Sequence, residues 1–343
     1  MTPSAEDQLA FLSRLQRLFS EGDFTATYKY ALLISLSDLA VELGENDTLR
    51  ITYRQLAAKF VELYWQQCAP YSNGGSTPGL LAQNMGAQAA VISAIIEFRT
   101  RNPSATVVAA RSFDGYSALV QTVAATVAAQ PVNYLQNLGG QLDPFLYERD
   151  RGCVVLKPGV AYCLRRFQPL VQQLARSHWI GHIKRNRLNQ PLLGVTDDLE
   201  SFLFETPRQA LVVISAGLKK LTNGRCFYCG EPVQAADVDH FVPFSMYARD
   251  LMHNFVLAHP TCNRSKSNAL AAKPHLDRWL EYITRNTDAL QEIGQQAGRI
   301  TDQGSSLAVA RWGYSNAVSG GAMAWVSARQ YAPVDQDYLR ALA

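Results

Sequence analysis

Residues 226–266 read CFYCGEPVQAADVDHFVPFSMYARDLMHNFVLAHPTCNRSK, and this stretch decides how the chain is organised. Cys226-x2-Cys229 and His259-x2-Cys262 are two knuckle pairs, the spacing with which two separate turns close a tetrahedral structural zinc site. Three thiolates and one imidazole fill all four positions, so zinc held this way has no open position for water and serves the fold. His253 lacks the knuckle spacing to Cys262. Between and beside the pairs lie Asp239-His240, Asn254 and Asn263.

Working outward, Thr206-Pro207 reads as an N-cap with proline at the first helical position. Leu211, Ile214, Leu218 and Leu221 form one stripe before Gly224 stops the helix and delivers the chain to the first knuckle. Beyond Ser267, Leu276, Leu280 and Ile283 return to helical spacing, and the aromatic residues from Gly304 to Ala343 predict a tail that packs on the body. Upstream, Gln168–Arg187 predicts a helix with Leu170, Leu174 and Ile183 on its apolar face. Residues 145–168 predict a hairpin or winged element turning at Lys157-Pro158-Gly159.

The N-terminal part is helical by pattern. Ser4-x-x-Asp7 opens a helix through Leu9, Leu12, Leu15 and Phe19, and Asp23 is placed to cap a second helix through Tyr30, Leu33 and Leu36. The capping box Thr52-x-x-Gln55 starts a third, which ends before the turn-rich residues 70–79. Alanine-rich helices are expected over Leu80–Phe98 and Tyr116–Ala129.

The chain has 343 residues, 48% hydrophobic and 18% charged, enough for a sizeable core in two or three structural units. A formal charge of +3 does not by itself announce a nucleic-acid binder. Its distribution is more telling: residues 151–190 hold no Asp or Glu but include Arg176, Lys184, Arg185 and Arg187. These residues make either a solvated helix face or a phosphate-contacting surface. His178 and His182 sit one helical turn apart without a nearby acidic third ligand, which favours packing over metal binding. Three of the six cysteines lie in the knuckles and Cys68, Cys153 and Cys163 are scattered, so no disulfide framework is implied. The acidic N-terminus and the lack of a long apolar run predict a cytoplasmic protein without a membrane span.

The 226–267 stretch resembles the HNH endonucleases, and within them the HNH domain of the RNA-guided CRISPR nucleases. The likeness lies in the Asp237-Val238-Asp239-His240 start, the central Asn254, and the Asn263-Arg264-x-Lys266-Ser267 end; it covers about residues 222–270. Many relatives with a knuckle carry a second Cys-x2-Cys pair, so His259 departs conservatively, and Asn263 stands where many place a second histidine. The resemblance implies a ββα-metal fold with a structural zinc. In it His240 activates water, Asp239 and Asn263 hold Mg²⁺ or Mn²⁺, Asn254 braces the loop that aims His240, and Lys266 and Arg264 approach phosphate. Hard oxygen donors suit Mg²⁺ or Mn²⁺ better than zinc. A regular strand would point Asp239 and His240 to opposite faces, so the strand is expected to end or bend there, helped by Pro243.

The expected fold class is therefore mainly α with a small embedded α+β module, the HNH fold flanked by helical regions. Four segments are expected: a helical region at 1–140, a mixed hairpin and basic helix at 141–205, the nuclease module at 206–290, and a C-terminal tail at 291–343. The implied activity is hydrolysis of phosphodiester bonds in DNA, RNA not excluded, in a restriction or antiviral defence effector with a regulatory protein partner or as a homodimer. The alternatives are a non-catalytic zinc-dependent nucleic-acid-binding module and a regulated subunit of a larger defence assembly.

Overall fold

Both N-terminal capping boxes close. Ser4 Oγ accepts from Asp7 N at 3.1 Å while the Asp7 carboxylate accepts from Ser4 N at 3.2 Å, starting the helix Ala5–Glu21. Thr52 Oγ1 accepts from Gln55 N at 3.1 Å and Gln55 Oε1 accepts from Thr52 N at 2.8 Å, starting Tyr53–Trp65. Each box satisfies two amides that a helix leaves without internal partners. The computed structural model describes residues 2–44, 49–72, 77–103, 106–194 and 198–343. It is 57% helix with small sheets, the mainly α class expected. No described helix is long and apolar enough to cross a membrane.

Two compact units are formed, one of residues 1–41 and 45–205, the other of 42–44 and 206–343. In the first, several local expectations shift. Leu9 is exposed, and Phe11, Leu15 and Leu18 carry the buried stripe of the opening helix. Asp23 caps nothing: the second helix begins at Tyr28, and the Asp23 carbonyl instead accepts from Lys29 Nζ. Helix occupies only Ala90–Arg101 of the alanine-rich Leu80–Phe98 stretch and its continuation, because Gln83, Ala82 and Asn84 spend their backbone groups on Thr27, Asn186 and Asn189. Tyr116–Ala129 is helical as expected. Within the turn-rich 70–79 stretch, residues 73–76 lie outside the described residues, and Tyr71 and Gly79 exchange two backbone hydrogen bonds.

The expected hairpin exists but turns elsewhere. Tyr147–Asp150 pairs antiparallel with Cys153–Leu156 through Arg151-Gly152, where Gly152 takes φ 69°, and Arg50–Thr52 adds a third strand on the other side. Lys157-Pro158-Gly159 instead leads into the helix Val160–Arg166. In the helix Gln168–Arg185, Val171, Ala175, Trp179 and Ile183 face inward and Leu170 is exposed. Trp179 sets that face, since its indole N–H finds a buried acceptor in Gln83 Oε1 at 2.9 Å.

The second unit is assembled around one antiparallel strand pair. Asp237–His240 pairs with Phe255–Ala258, matching Asp239 with Val256 and His240 with Phe255. The helix Pro260–Lys266 follows directly, and Arg208–Leu221 precedes the first knuckle. Thr206 is not the cap of that helix; Pro207 occupies the cap position and the Thr206 hydroxyl is used elsewhere. Ile214 and Leu218 are its buried residues, and it ends where Gly224, at φ 65°, returns its amide to Lys219 O. The residues after 290 are integral to this unit. Trp325 packs 5.2 Å from Tyr228 and 5.3 Å from His275, and its indole N–H donates to Ser265 Oγ at 3.0 Å. Trp279, stacked at 4.7 Å on Phe241, fills the space beneath the strand pair and donates to His253 O.

Candidate active site

Sγ of Cys226, Cys229 and Cys262 and a ring nitrogen of His259 all lie within 4.8 Å of one another. Two details fit this set to a zinc ion. His259 Nε2 lies 3.1 Å from Pro232 O, which can only accept, so that nitrogen carries the proton and Nδ1 keeps its lone pair facing Cys229 Sγ at 3.3 Å. Burial raises the Cys226 thiol, but amides of Cys229, His259 and Tyr228 aimed at its sulfur outweigh this and bring it down to about 7. Burial and the neighbouring thiolates push Cys262 up, a repulsion that a divalent cation among the four ligands would relieve. Among the described residues this is the one such grouping of His, Cys, Asp and Glu.

The knuckles fix the strand pair beside them: Phe227 N donates to Leu257 O at 2.8 Å, and Cys226 N donates to Glu231 O at 2.9 Å. The strand pairs regularly up to His240 and ends there, as the expectation of an end or a bend at this pair allowed, yet Asp239 and His240 still point to opposite faces. Asp239 is buried. Its Oδ2 accepts from Tyr228 Oη at 2.5 Å and faces Lys266 Nζ at 3.1 Å. Asn263 does not join Asp239; its Nδ2 donates to Asp237 Oδ2 at 3.1 Å. The helix following the strands brings Asn263 to Asp237 instead.

Lys266 corrects an expectation outright. It is fully buried, with Nζ also donating to His240 O at 2.8 Å, so it braces the strand end and cannot reach a phosphate. Burial lowers its affinity for a proton, and Asp239 opposes that. Arg264, on the same helix, is exposed.

On the opposite face, the His240 ring sits between Phe255 at 4.7 Å and Phe244 at 5.2 Å. Its Nε2 lies 2.6 Å from Asp250 Oδ1. Burial would raise the Asp250 carboxyl, but the hydrogen bond and charge of His240, with Thr206 and Arg299, hold it below the usual carboxylate range. Asn254 clamps the residues after His240: Oδ1 accepts from Val242 N at 2.8 Å, Nδ2 donates to Val242 O at 2.9 Å, and its carbonyl accepts from Phe241 N. Asp250 escaped the sequence reading. It lies ten positions from His240, with no spacing rule to connect them.

In the first unit, Arg176 is committed to packing, its guanidinium 4.9 Å over the Phe204 ring with Nε donating to Gln172 Oε1. Lys184, Arg185 and Arg187 are exposed. His178 stacks on Phe19 at 4.4 Å and His182 is buried against Tyr30, so the two histidines are packing residues.

A family model described as a domain of unknown function, DUF8808, matches residues 8–199, more than half of the chain. The chain belongs to the DUF8808 family. A second model, described as HNH endonuclease, matches residues 226–272, which hold both knuckles, His240, Asn254 and Asn263. The DUF8808 region thus falls in the first unit and the HNH endonuclease segment in the second. That segment carries nuclease and nucleic-acid-binding character in general, and its Cys3His cluster is compatible with zinc. No curated protein and no solved structure matches the chain.

Proposed function

We propose that this DUF8808 protein is an HNH endonuclease that hydrolyses phosphodiester bonds in DNA, with His240 as the group that takes the proton from the attacking water. The observation that carries the reading is the state of His240 within the matched segment. Nε2 is engaged by Asp250 and the ring is held between two aromatics, which leaves Nδ1 as the nitrogen with a lone pair for water. The order strand, strand, helix with a Cys3His cluster at its foot supports a ββα-metal fold.

A hard cation, Mg²⁺ or Mn²⁺, would neutralise charge on the scissile phosphate and on the departing oxygen. Asp239 and Asn263 are the holders that the resemblance implies; Asp239 pairs with Lys266 on the strand face away from His240 and Asn263 bonds to Asp237, so a joint grip on a cation beside His240 requires these contacts to rearrange. Asp239 Oδ1 and Asn263 Oδ1 accept no hydrogen bond from another described side chain, which leaves one oxygen of each for a cation. Asn254 keeps the loop after His240 in place, and Lys266 holds Asp239 and the His240 carbonyl in fixed positions. Exposed Arg264, with Arg185 and Arg187 of the DUF8808 region, would contact the nucleic-acid backbone. A restriction or defence role, with the DUF8808 region answering to a regulatory protein or a second copy, is proposed by analogy with other HNH proteins.

A second reading has its own support: the Asp239 carboxylate is already neutralised by Lys266, an arrangement that needs no cation and suits a zinc-stapled binding module without catalysis. The zinc-loaded chain incubated with supercoiled plasmid, linear duplex, single-stranded DNA or RNA, with Mg²⁺, Mn²⁺ or chelator, separates the two. Cation-dependent cleavage that His240→Ala abolishes without weakening binding is expected; a wild-type chain that binds nucleic acid but never cuts would favour the binding module.

A further inference from the structure

We propose that Asp250 is a positioning residue for His240, the end of a one-way hydrogen-bond relay that fixes which ring nitrogen carries the proton. The inference rests on the nuclease reading only in calling that proton position productive. The relay itself follows from donor and acceptor capacity. Arg299 has only donors, and its guanidinium reaches Thr206 Oγ1 at 2.9 Å, so the threonine oxygen accepts there. Thr206 therefore spends its single hydroxyl hydrogen on Asp250 Oδ2. That leaves Oδ1 of a carboxylate facing His240 Nε2 at 2.6 Å, and an ionised carboxylate can only accept. Nε2 must carry the hydrogen, and in the neutral ring Nδ1 then keeps the lone pair.

Three separated segments converge to build this relay, and two of them are tied to each other by backbone. Met252 N donates to Ile300 O at 2.8 Å and Arg299 N to Gly294 O at 2.7 Å, tying the 299–300 turn to the segment that carries Asp250. The turn can approach this closely because residue 294 is glycine; an added Cβ would run into the Thr301 side chain and the Arg299 carbonyl. Asp250 and Arg299 are both partly buried, which limits competition from water for their hydrogen bonds. The relay also gives Thr206, where the second unit begins, a part in setting the ring.

Asp250→Asn tests the direction of the chain. Thr206 must still donate, so the amide would present Oδ1 to Thr206 and its NH2 to His240, forcing the hydrogen from Nε2 to Nδ1. Long-range proton–nitrogen NMR correlation on the zinc-loaded chain at pH 8 should show His240 protonated at Nε2 in the wild type and at Nδ1 in Asp250→Asn. This readout needs no substrate, so it stands or falls separately from the nuclease reading. In cleavage assays kcat should fall about a hundredfold or more with KM within about twofold, the pattern of a base locked in the wrong tautomer. Thr206→Ser should retain the wild-type spectrum and rate. A wild-type His240 protonated at Nδ1 would overturn the proposal even if Asp250→Asn proved unable to fold, and so would a folded Asp250→Asn with an unchanged spectrum.

Discussion

Lys266 Nζ and Asp239 Oδ2 form an ion pair of 3.1 Å with both side chains buried. Such a pair adds little net stability over an apolar replacement of both members, yet removing one member strands the other charge away from water. Lys266→Met should therefore destabilise the second unit by about 3–5 kcal/mol, and adding Asp239→Asn should recover much of that loss. Urea unfolding of the zinc-loaded chain compares the two variants; a wild-type midpoint for Lys266→Met would contradict the buried pairing.

The Cys3His cluster leads to a metal-content prediction. The purified chain should carry one zinc per molecule, and Cys226→Ser or Cys262→Ser should lose the ion and unfold the knuckles, since binding energy at such a site is folding energy. His259→Cys should keep the metal. Cobalt substitution of that variant should give an absorption spectrum of four thiolates in place of three, and a spectrum identical to wild type would remove His259 from the ligand set.

His182 supplies a pH dependence in the DUF8808 region. Burial lowers its pKa from 6.5 to about 4, so between those values the unfolded chain binds a proton that the folded chain does not. Stability must rise with pH across that window and fall on acidification through it. Allowing for partial solvent screening, the contribution is on the order of 1–2 kcal/mol. Hydrogen exchange of the Gln168–Arg185 amides at pH 4.5 and 7 should show the loss, and His182→Phe should flatten it.

Arg185 and Arg187 are exposed, and their expected role is tested by charge reversal. Arg185→Glu with Arg187→Glu should weaken binding of duplex DNA and reduce the slope of log affinity against log salt by about 1–2. Affinity unchanged across a salt titration would assign both side chains to solvated surface.

Local signals carried the sequence reading a long way. The two x2-spaced pairs marked the four side chains that converge into a cluster compatible with zinc, the capping boxes at Ser4 and Thr52 marked two helix starts, and Asn254 was singled out before its clamp on Val242 was visible. Errors arose where competing partners were distant. The alanine-rich start at Leu80 looked helical, but its backbone groups are claimed by Thr27, Asn186 and Asn189, more than fifty residues away in each case. Lysine after Asn-Arg at a helix end resembled a phosphate contact, and only the fold shows it turned inward.

By itself, the order of residues determined which side chains could ligate zinc and that an imidazole with neighbouring carboxylates sits between them, because ligand chemistry and short spacing are properties of the local chain. Tertiary structure decided which carboxylate each partner received: Asp239 went to Lys266, Asp237 to Asn263, and Asp250 to His240. The strand period of two sends adjacent residues to opposite faces, and only tertiary packing settles what waits on each side: Tyr228 and Lys266 at Asp239, and Asp250 with Thr206 and Arg299 at His240.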